Sequence, residues 1–292
     1  MMLQKDQFTI EINQLKPLEM TEDEWNQYHT FRKFFHNENN PDTSLVDDQV
    51  HEKNLKDLVT NKLFELNSYN IFNEKELIGT FGTRMEKETS PHFAEKKDEL
   101  FFRVSLLKDW RHLQIYNQVL KKISEIAKND KRTFILTDTS TDEGKQFLRQ
   151  TGAKEASVVR TNKLDMKDID WDQMKEWVKE AETMNPNLEL KLFTIVPEGL
   201  LKTYCEMTTF IFDQMPHDDL QSANFVVTPE SHRQREAHLT KNGSIEENAV
   251  ILDKNKKIVG LSTVEYYGEK IDFFQQGLTG VLFEHRGKKL GK

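Results

Sequence analysis

The residues best suited to chemistry lie at the end of the sequence, where an apolar stretch typical of a β-strand turns into a short basic segment. A strand that breaks into a glycine-containing basic turn and then begins a helix exposes several backbone N–H groups beside the positive end of the helix dipole. Phosphate groups bind at such points. We therefore predict a phosphate-binding site formed by Arg286, Gly287, Lys288, Lys289, Leu290 and Gly291.

This segment resembles motif A of the GCN5-related N-acetyltransferases, the GNAT family. In that family the pattern Q/R-x-x-G-x-G/A follows the fourth strand and binds the pyrophosphate of acetyl-coenzyme A (acetyl-CoA). Arg286 occupies the first position of the pattern and Gly291 the last, whereas Lys289 stands where the middle glycine is usual. At the start of a regular helix this position needs no left-handed backbone, and the lysine ammonium group can itself meet a phosphate.

The resemblance implies that acetyl-CoA is the co-substrate. The backbone around Val281 and Leu282 would hydrogen-bond the pantetheine arm and the acyl carbonyl. The N–H groups of residues 287–291, together with Arg286 and Lys288, would hold the pyrophosphate. No metal is implied, and the sequence has neither a cysteine pair nor an H-E-x-x-H segment that would favour zinc.

Attack of an amine on a thioester also needs a base that removes a proton from the ammonium form of the amine. In the GNAT arrangement this base projects from the strands beside the acyl site. We expect Glu265 to be the base, with Asp272 as the second candidate, and the alternative for each is an ordinary exposed carboxylate. Tyr266 and Tyr267 face opposite ways on a strand, and the general acid stays unassigned.

The acceptor side of a GNAT domain is lined by the loop between its first two helices. In the second half of this chain, that loop carries Asp213, Asp218 and Asp219. A cluster of acidic residues there favours a cationic amine, and the alternative is a polar loop without a ligand.

Apolar periodicity predicts the elements that position these residues. Residues 1–166 follow the order β-α-α-β-β-β-α-β-α-β, in which a capping box at Thr21 and Glu24 begins the first helix. The second helix is predicted over residues 44–66 and the final strand over residues 156–164. This order predicts an α/β fold, more closely an α+β arrangement with a mixed sheet and helices on both faces, as in a GNAT domain.

The same order begins again after a linker helix predicted at residues 167–187. Two features of the first half recur in the second half at nearly the same separation along the chain. An apolar pair precedes both Gly79 and Gly260, and an arginine stands at position 111 and again at position 286. We therefore predict two tandem GNAT-like domains, at residues 1–166 and 188–292.

The two copies differ at the motif. The first copy keeps Arg111 but has Gln114 and Tyr116 at the glycine positions, so we interpret it as a degenerate domain. The second copy stops at Lys292, inside the helix that the motif begins, so we expect its last strands to be missing. It is either a fragment or a domain completed by a partner chain. The unpaired strand edge that results predicts self-association.

Composition excludes several classes of protein. A net charge of −8 over 292 residues argues against nucleic-acid binding, and the apolar runs are too short to cross a membrane. The single cysteine, Cys205, cannot form an intramolecular disulfide, and no basic and apolar leader opens the chain, so we expect a cytoplasmic protein.

The resemblance to the GNAT family therefore implies an acetyl-CoA-dependent N-acetyltransferase that acts on a primary amine of a small molecule, with its acetyl-CoA site in the second half. The alternative is a non-catalytic acyl-CoA-binding or interaction module. The substituted glycines of one copy and the missing end of the other favour that alternative.

Overall fold

The structure is a computed structural model that describes residues 10–90, 92–215, 226–267 and 273–291. It divides into two compact units, Met1–Lys154 (unit 1) and Glu155–Lys292 (unit 2). The division falls before the predicted domain boundary at residue 166, and the predicted linker helix belongs to unit 2.

Unit 1 has a five-stranded sheet in the chain order β1 to β5. All neighbouring strands are antiparallel except the last two, β4 and β5, which are parallel. The sheet is therefore mixed, as predicted. Its elements are β1 Ile10–Leu15, α1 Glu22–Asn39, α2 Asp48–Val59, β2 Phe64–Asn73, β3 Glu76–Glu86, α3 Phe93–Lys96, β4 Glu99–Leu106, α4 Leu113–Asn129, β5 Phe134–Thr137 and α5 Asp142–Gln150.

Local sequence explains where the helices of unit 1 begin and what they bury. The predicted capping box begins α1: the Thr21 hydroxyl accepts from the Glu24 N–H, and the Glu24 carboxylate accepts from the Thr21 N–H. Helix α4 buries its apolar face in the main core, where Ile115 and Ile123 are fully buried against residues such as Phe81. Burial of such side chains contributes about 1.5–3 kcal/mol each.

Two predictions for residues 1–166 are wrong. The second helix ends at Val59, and Leu66, expected on its inner face, lies in β2 and packs on the small core around Trp25. Pairing of β2 with both β1 and β3 stabilises the strand and overrides the helical spacing. Residues 156–164, expected to form a strand, are irregular, and Val159 is 87% exposed. They gain no ladder hydrogen bonds from either described sheet.

Unit 2 has a four-stranded antiparallel sheet, β6 to β9. Helix α7 packs on one face of this sheet, with Leu201, Met207 and Ile211 in the core beside Val250 and Val259. The elements are α6 Trp171–Met184, β6 Glu189–Phe193, α7 Glu198–Asp213, α8 Pro229–Lys241, β7 Ser244–Leu252, β8 Ile258–Tyr267 and β9 Gln275–Val281.

The two units repeat one arrangement of strands. Gly79 on β3 is opposite Leu106, the last residue of β4, and Gly260 on β8 is opposite Val281, the last residue of β9. A short 3₁₀ turn follows each of these second strands. The prediction of a duplicated α/β fold is therefore confirmed. The described sheet of unit 2 ends at β9, whereas β4 has β5 as a further neighbour.

Among the described residues, none of the helices combines the length and the apolar character that crossing a membrane would need.

Two glycines on β3 test how closely this strand and its neighbours in unit 1 approach each other. A Cβ at Gly79 would lie 2.4 Å from Leu106 Cδ2 and 2.7 Å from the Ser105 carbonyl oxygen, whereas a Cβ at Gly82 would meet only the Asn67 carbonyl, at 3.7 Å. We expect Gly79→Ala to lower the free energy of unfolding of unit 1 by about 1–3 kcal/mol. We expect Gly82→Ala to be neutral or slightly stabilising. Chemical denaturation of both variants checks this, and equal losses would contradict it.

Candidate functional site

The basic segment at residues 286–291 forms a turn and not the start of a helix. It follows the 3₁₀ turn at residues 283–285. Gly287 has φ +76° and Lys289 has φ +62°, both in the left-handed region. Two such residues so close together are incompatible with a right-handed α-helix, so the predicted helix start is wrong. The lysine at the middle position adopts the backbone conformation that glycine adopts more easily.

The backbone of this turn exposes a run of donors. Within the described part of the chain, none of the five N–H groups of residues 287–291 donates a hydrogen bond, whereas the N–H of Arg286 bonds to the Phe283 carbonyl at 3.1 Å. Successive N–H groups in a turn that includes left-handed residues form a concave site for anions, often called a nest. The turn therefore presents the run of N–H donors that the helix start was expected to present.

Side chains hold the turn at the end of β9 and against α6. Arg286 Nε donates to the Val281 carbonyl at 3.0 Å, and Asn185 Nδ2 donates to the Lys288 carbonyl at 2.9 Å. Lys289 Nζ lies 2.6 Å from Glu180 Oε2 on α6, so this cation already has a carboxylate partner. Among the described residues, no carboxylate pairs with Arg286 or with Lys288, and both side chains are exposed. These two cations are the ones available to an anion.

A depression of about 390 Å³ joins the end of β9 to the turn. It contains most of the residues predicted to bind the cofactor, so the structure brings them together in one place. Its lining residues are Val281, His285, Arg286, Gly287, Lys289, Leu290 and Gly291.

In the described sheet of unit 2, β9 pairs only with β8, and its other edge leads into this depression at Val281. The Leu282 N–H donates to the Val259 carbonyl at 2.9 Å, so the intervening pair Gly260 and Val281 is not hydrogen-bonded and the backbone of Val281 points away from β8. By the same alternation, the backbone of Thr279 also points to the open edge. Val281, but not Leu282, therefore has an N–H free to bind an extended ligand.

An irregularity in β9 distinguishes unit 2 from unit 1. Ser262 pairs with Thr279 and Val264 pairs with Gln276, so two residues of β9 stand opposite Thr263. This is a β-bulge, and a Cβ at Gly277 would lie 2.2 Å from Thr263 Oγ1. The pairing of β3 with β4 has no such shift over residues 79–84. A glycine inside a strand was the signal for this bulge, which the sequence analysis missed.

Glu265, the first candidate for the base, lies on β8 opposite Gln275. Its carboxylate accepts a hydrogen bond from Arg235 at 3.2 Å, and Arg235 also pairs with the buried Glu246 at 2.6 Å. Gln275 lies six residues before Val281, so Glu265 is about 20 Å from the depression along the strand. Asp272, the second candidate, lies outside the described residues.

The candidate acceptor residues are described only in part. Asp213 is the last residue of α7 and is exposed. The same last turn of α7 packs on β9, because a Cβ at Gly280 would come within 2.7 Å of Ile211. The last turn of α7, which carries Asp213, therefore packs near the end of β9 at Gly280, while Asp218 and Asp219 fall outside the described residues.

A buried polar cluster beneath the sheet of unit 2 was not predicted. The hydroxyl of Tyr204 donates to Asn248 Oδ1 at 2.5 Å, the Tyr204 ring lies 4.7 Å from that of His232, and Glu236 accepts from the Val196 N–H at 2.8 Å. Burial raises the pKa of Tyr204 and lowers that of His232. These residues connect α7 and α8 to the sheet, and no spacing along the chain reveals their contacts.

In unit 1 the corresponding positions are filled by side chains. Arg111 Nε donates to the Leu106 carbonyl at 3.1 Å, as Arg286 does to Val281, but Arg111 also donates to Asn39 Oδ1 at 2.8 Å. Tyr116 is buried and stacks on Phe147 with ring centroids 5.0 Å apart. The arginine and the tyrosine of this copy therefore already have protein partners.

Within the described ranges, no group of three or more histidine, cysteine, aspartate or glutamate side chains is arranged to hold a metal ion.

Comparison with solved structures identifies one protein of similar fold and further matches with low TM-scores. A tandem GNAT protein from the clavulanic acid biosynthesis pathway, solved without acetyl-CoA, matches with a TM-score of 0.67 at 15% identity, over 97% of this chain and 82% of that one. An aminoglycoside acetyltransferase from an uncultured soil metagenomic sample, in complex with sisomicin, has a TM-score of 0.39 at 13% identity, over 53% of this chain and 97% of its own. Comparisons of the sequence with family models and with curated proteins find no match.

The turn geometry predicts that inorganic pyrophosphate binds to the chain and that Gly287→Ala weakens this binding. Alanine at a left-handed position costs about 1–2 kcal/mol, which corresponds to about 5–30-fold in affinity. The Cβ itself would meet no atom within 4 Å, so the effect is purely conformational. The control is Gly199→Ala on α7, where a Cβ is equally unobstructed. Calorimetric titration checks both variants, and equal affinities for them would contradict the nest.

Proposed function

We propose that this chain, which has a tandem GNAT fold, binds acetyl-CoA in unit 2 and transfers the acetyl group to a primary amine of a small molecule. The observation that carries the proposal is the run of N–H groups at residues 287–291 that have no acceptor among the described residues, placed at the end of β9, the edge strand of the described sheet. A diphosphate fits the nest, and an extended amide-containing arm fits the strand edge. Acetyl-CoA contains both groups.

Binding in this orientation assigns a role to each part of the site. Arg286 and Lys288 supply positive charge at the diphosphate, next to the N–H groups of the turn. The outward N–H groups of Val281 and Thr279 hydrogen-bond the pantetheine arm as a neighbouring strand would. The bulge at Gly277 changes the direction of the backbone beyond Val281 and Thr279. The acyl end of an extended pantetheine arm would lie at this bulge.

The acetyl donor supplies a thioester, and the protein has to position it and handle protons. The amine gives up a proton and attacks the carbonyl carbon, so that a C–N bond forms and the C–S bond breaks, and the leaving thiolate takes up a proton. Glu265 is the proposed base. The distance from Glu265 to the turn is close to the length of an extended pantetheine arm. Arg235 balances the negative charge of the Glu265 carboxylate. Asp213, on the last turn of α7, would attract a cationic amine.

The two arginines that recur in the units provide a matched test of where acetyl-CoA binds. We expect Arg286→Gln to weaken acetyl-CoA binding about 10–100-fold, because a charge-assisted contact with the diphosphate is lost. We expect Arg111→Gln to leave the affinity unchanged and to lower the stability of unit 1 by about 1–3 kcal/mol, because the buried Leu106 carbonyl and the half-buried Asn39 amide lose their donor. Calorimetry and thermal unfolding measure the two effects. The opposite pattern would place the site in unit 1.

Activity is tested by incubating the chain with acetyl-CoA and a panel of primary amines and detecting acetylated products by mass spectrometry. We expect Glu265→Gln to lower kcat about 10²–10⁴-fold with little change in acetyl-CoA affinity. Glu247→Gln is the control, since Glu247 lies on the opposite face of the neighbouring strand and accepts a hydrogen bond from Tyr266. Binding of acetyl-CoA without turnover of any amine would favour a non-catalytic acyl-CoA-binding module.

A further inference from the structure

A second depression lies on the other side of the turn, between the turn and α6. Its volume is about 640 Å³, and it shares Lys289 with the smaller depression, so the two adjoin at that residue. We call it the α6 groove. Its lining residues are Lys175, Glu176, Lys179, Glu180, Thr183, Met184 and Lys289.

The groove and the turn are fixed to one another. Asn185, which follows α6 directly, donates to the Lys288 carbonyl, and Glu180 on α6 pairs with Lys289. A ligand that reaches from the turn into the groove therefore meets a defined surface. The helix predicted as a linker contributes this surface.

The charges along the groove favour an anion at one place. Lys175, Lys179 and Thr183 are spaced four residues apart, so they follow one face of α6. Lys175 pairs with Asp172 at 3.1 Å and Lys289 pairs with Glu180 at 2.6 Å, whereas Lys179 has no carboxylate partner among the described residues. Lys179 is thus the available cation of the groove.

Apolar surface lies beside this cation. Met184, at the end of α6, is 52% exposed and lines the same groove as Lys179. A methionine sulfur and its methylene groups pack favourably on flat aromatic rings. The groove thus combines a surface for a planar base with a cation for a phosphate.

The proposed orientation of acetyl-CoA directs its nucleotide end to this place. The pantetheine arm leaves the turn along the edge of β9, so the adenosine end has to leave on the other side of the diphosphate. We propose that the α6 groove binds the 3′-phosphorylated adenosine of acetyl-CoA, with Lys179 at the 3′-phosphate and Met184 against the base. This inference rests on the proposed function and adds a subsite to it.

Calorimetric titration of the whole chain with acetyl-CoA and with acetyl-3′-dephospho-CoA tests the subsite. We expect the unmodified chain to bind acetyl-CoA about fivefold more tightly, the effect of one exposed ionic contact. We expect Lys179→Gln to abolish this preference without changing the affinity for the dephospho compound. The control is Lys202→Gln, because Lys202 is an exposed residue of α7 that lines neither depression, and it should keep the preference.

The outcomes separate the two proposals. Equal affinity of the unmodified chain for both compounds, or a preference that survives in Lys179→Gln, would overturn the α6 groove as the nucleotide subsite and leave the proposed function standing. Failure of the unmodified chain to bind either compound would overturn the proposed function, and the subsite with it.

Discussion

The structure of unit 2 around β9 depends on one constraint, which is that backbone N–H groups need partners. Five successive N–H groups at residues 287–291 have none among the described residues, and left-handed conformations at Gly287 and Lys289 are maintained beside them. Contacts from outside the turn maintain this geometry: Arg286 bonds to the end of β9, and α6 holds the Lys288 carbonyl and the Lys289 side chain. An anion at the turn would pair the donors without rearranging the backbone.

Duplication shows which features belong to the fold and which to the site. The bond from an arginine Nε to the last carbonyl of a strand occurs in both units, so it is part of the shared scaffold. The surroundings of the two arginines differ. In unit 1 a side-chain amide engages Arg111 and Tyr116 stacks on Phe147, whereas in unit 2 a depression adjoins Arg286 beside the edge of β9 that has no neighbour among the described strands.

Local patterns in the sequence predicted much of the fold and only part of the site. The capping box at Thr21 and the repeat of Gly79 at Gly260 depend on neighbouring residues or on a simple separation, and the structure has both. The bond from Asn185 to Lys288 and the pair of Arg235 with Glu265 join distant parts of the chain, so no local pattern encodes them. The irregular residues 156–164 show the converse, because strand propensity without a pairing neighbour does not make a strand.

We propose above that the amides of the turn bind the diphosphate of acetyl-CoA. The direct test is to record amide NMR shifts of the chain during a titration with acetyl-CoA. We expect the largest shifts on the N–H groups of residues 287–291 and on those of Thr279 and Val281. Shifts confined to unit 1, or no shifts in the turn at saturating ligand, would contradict it.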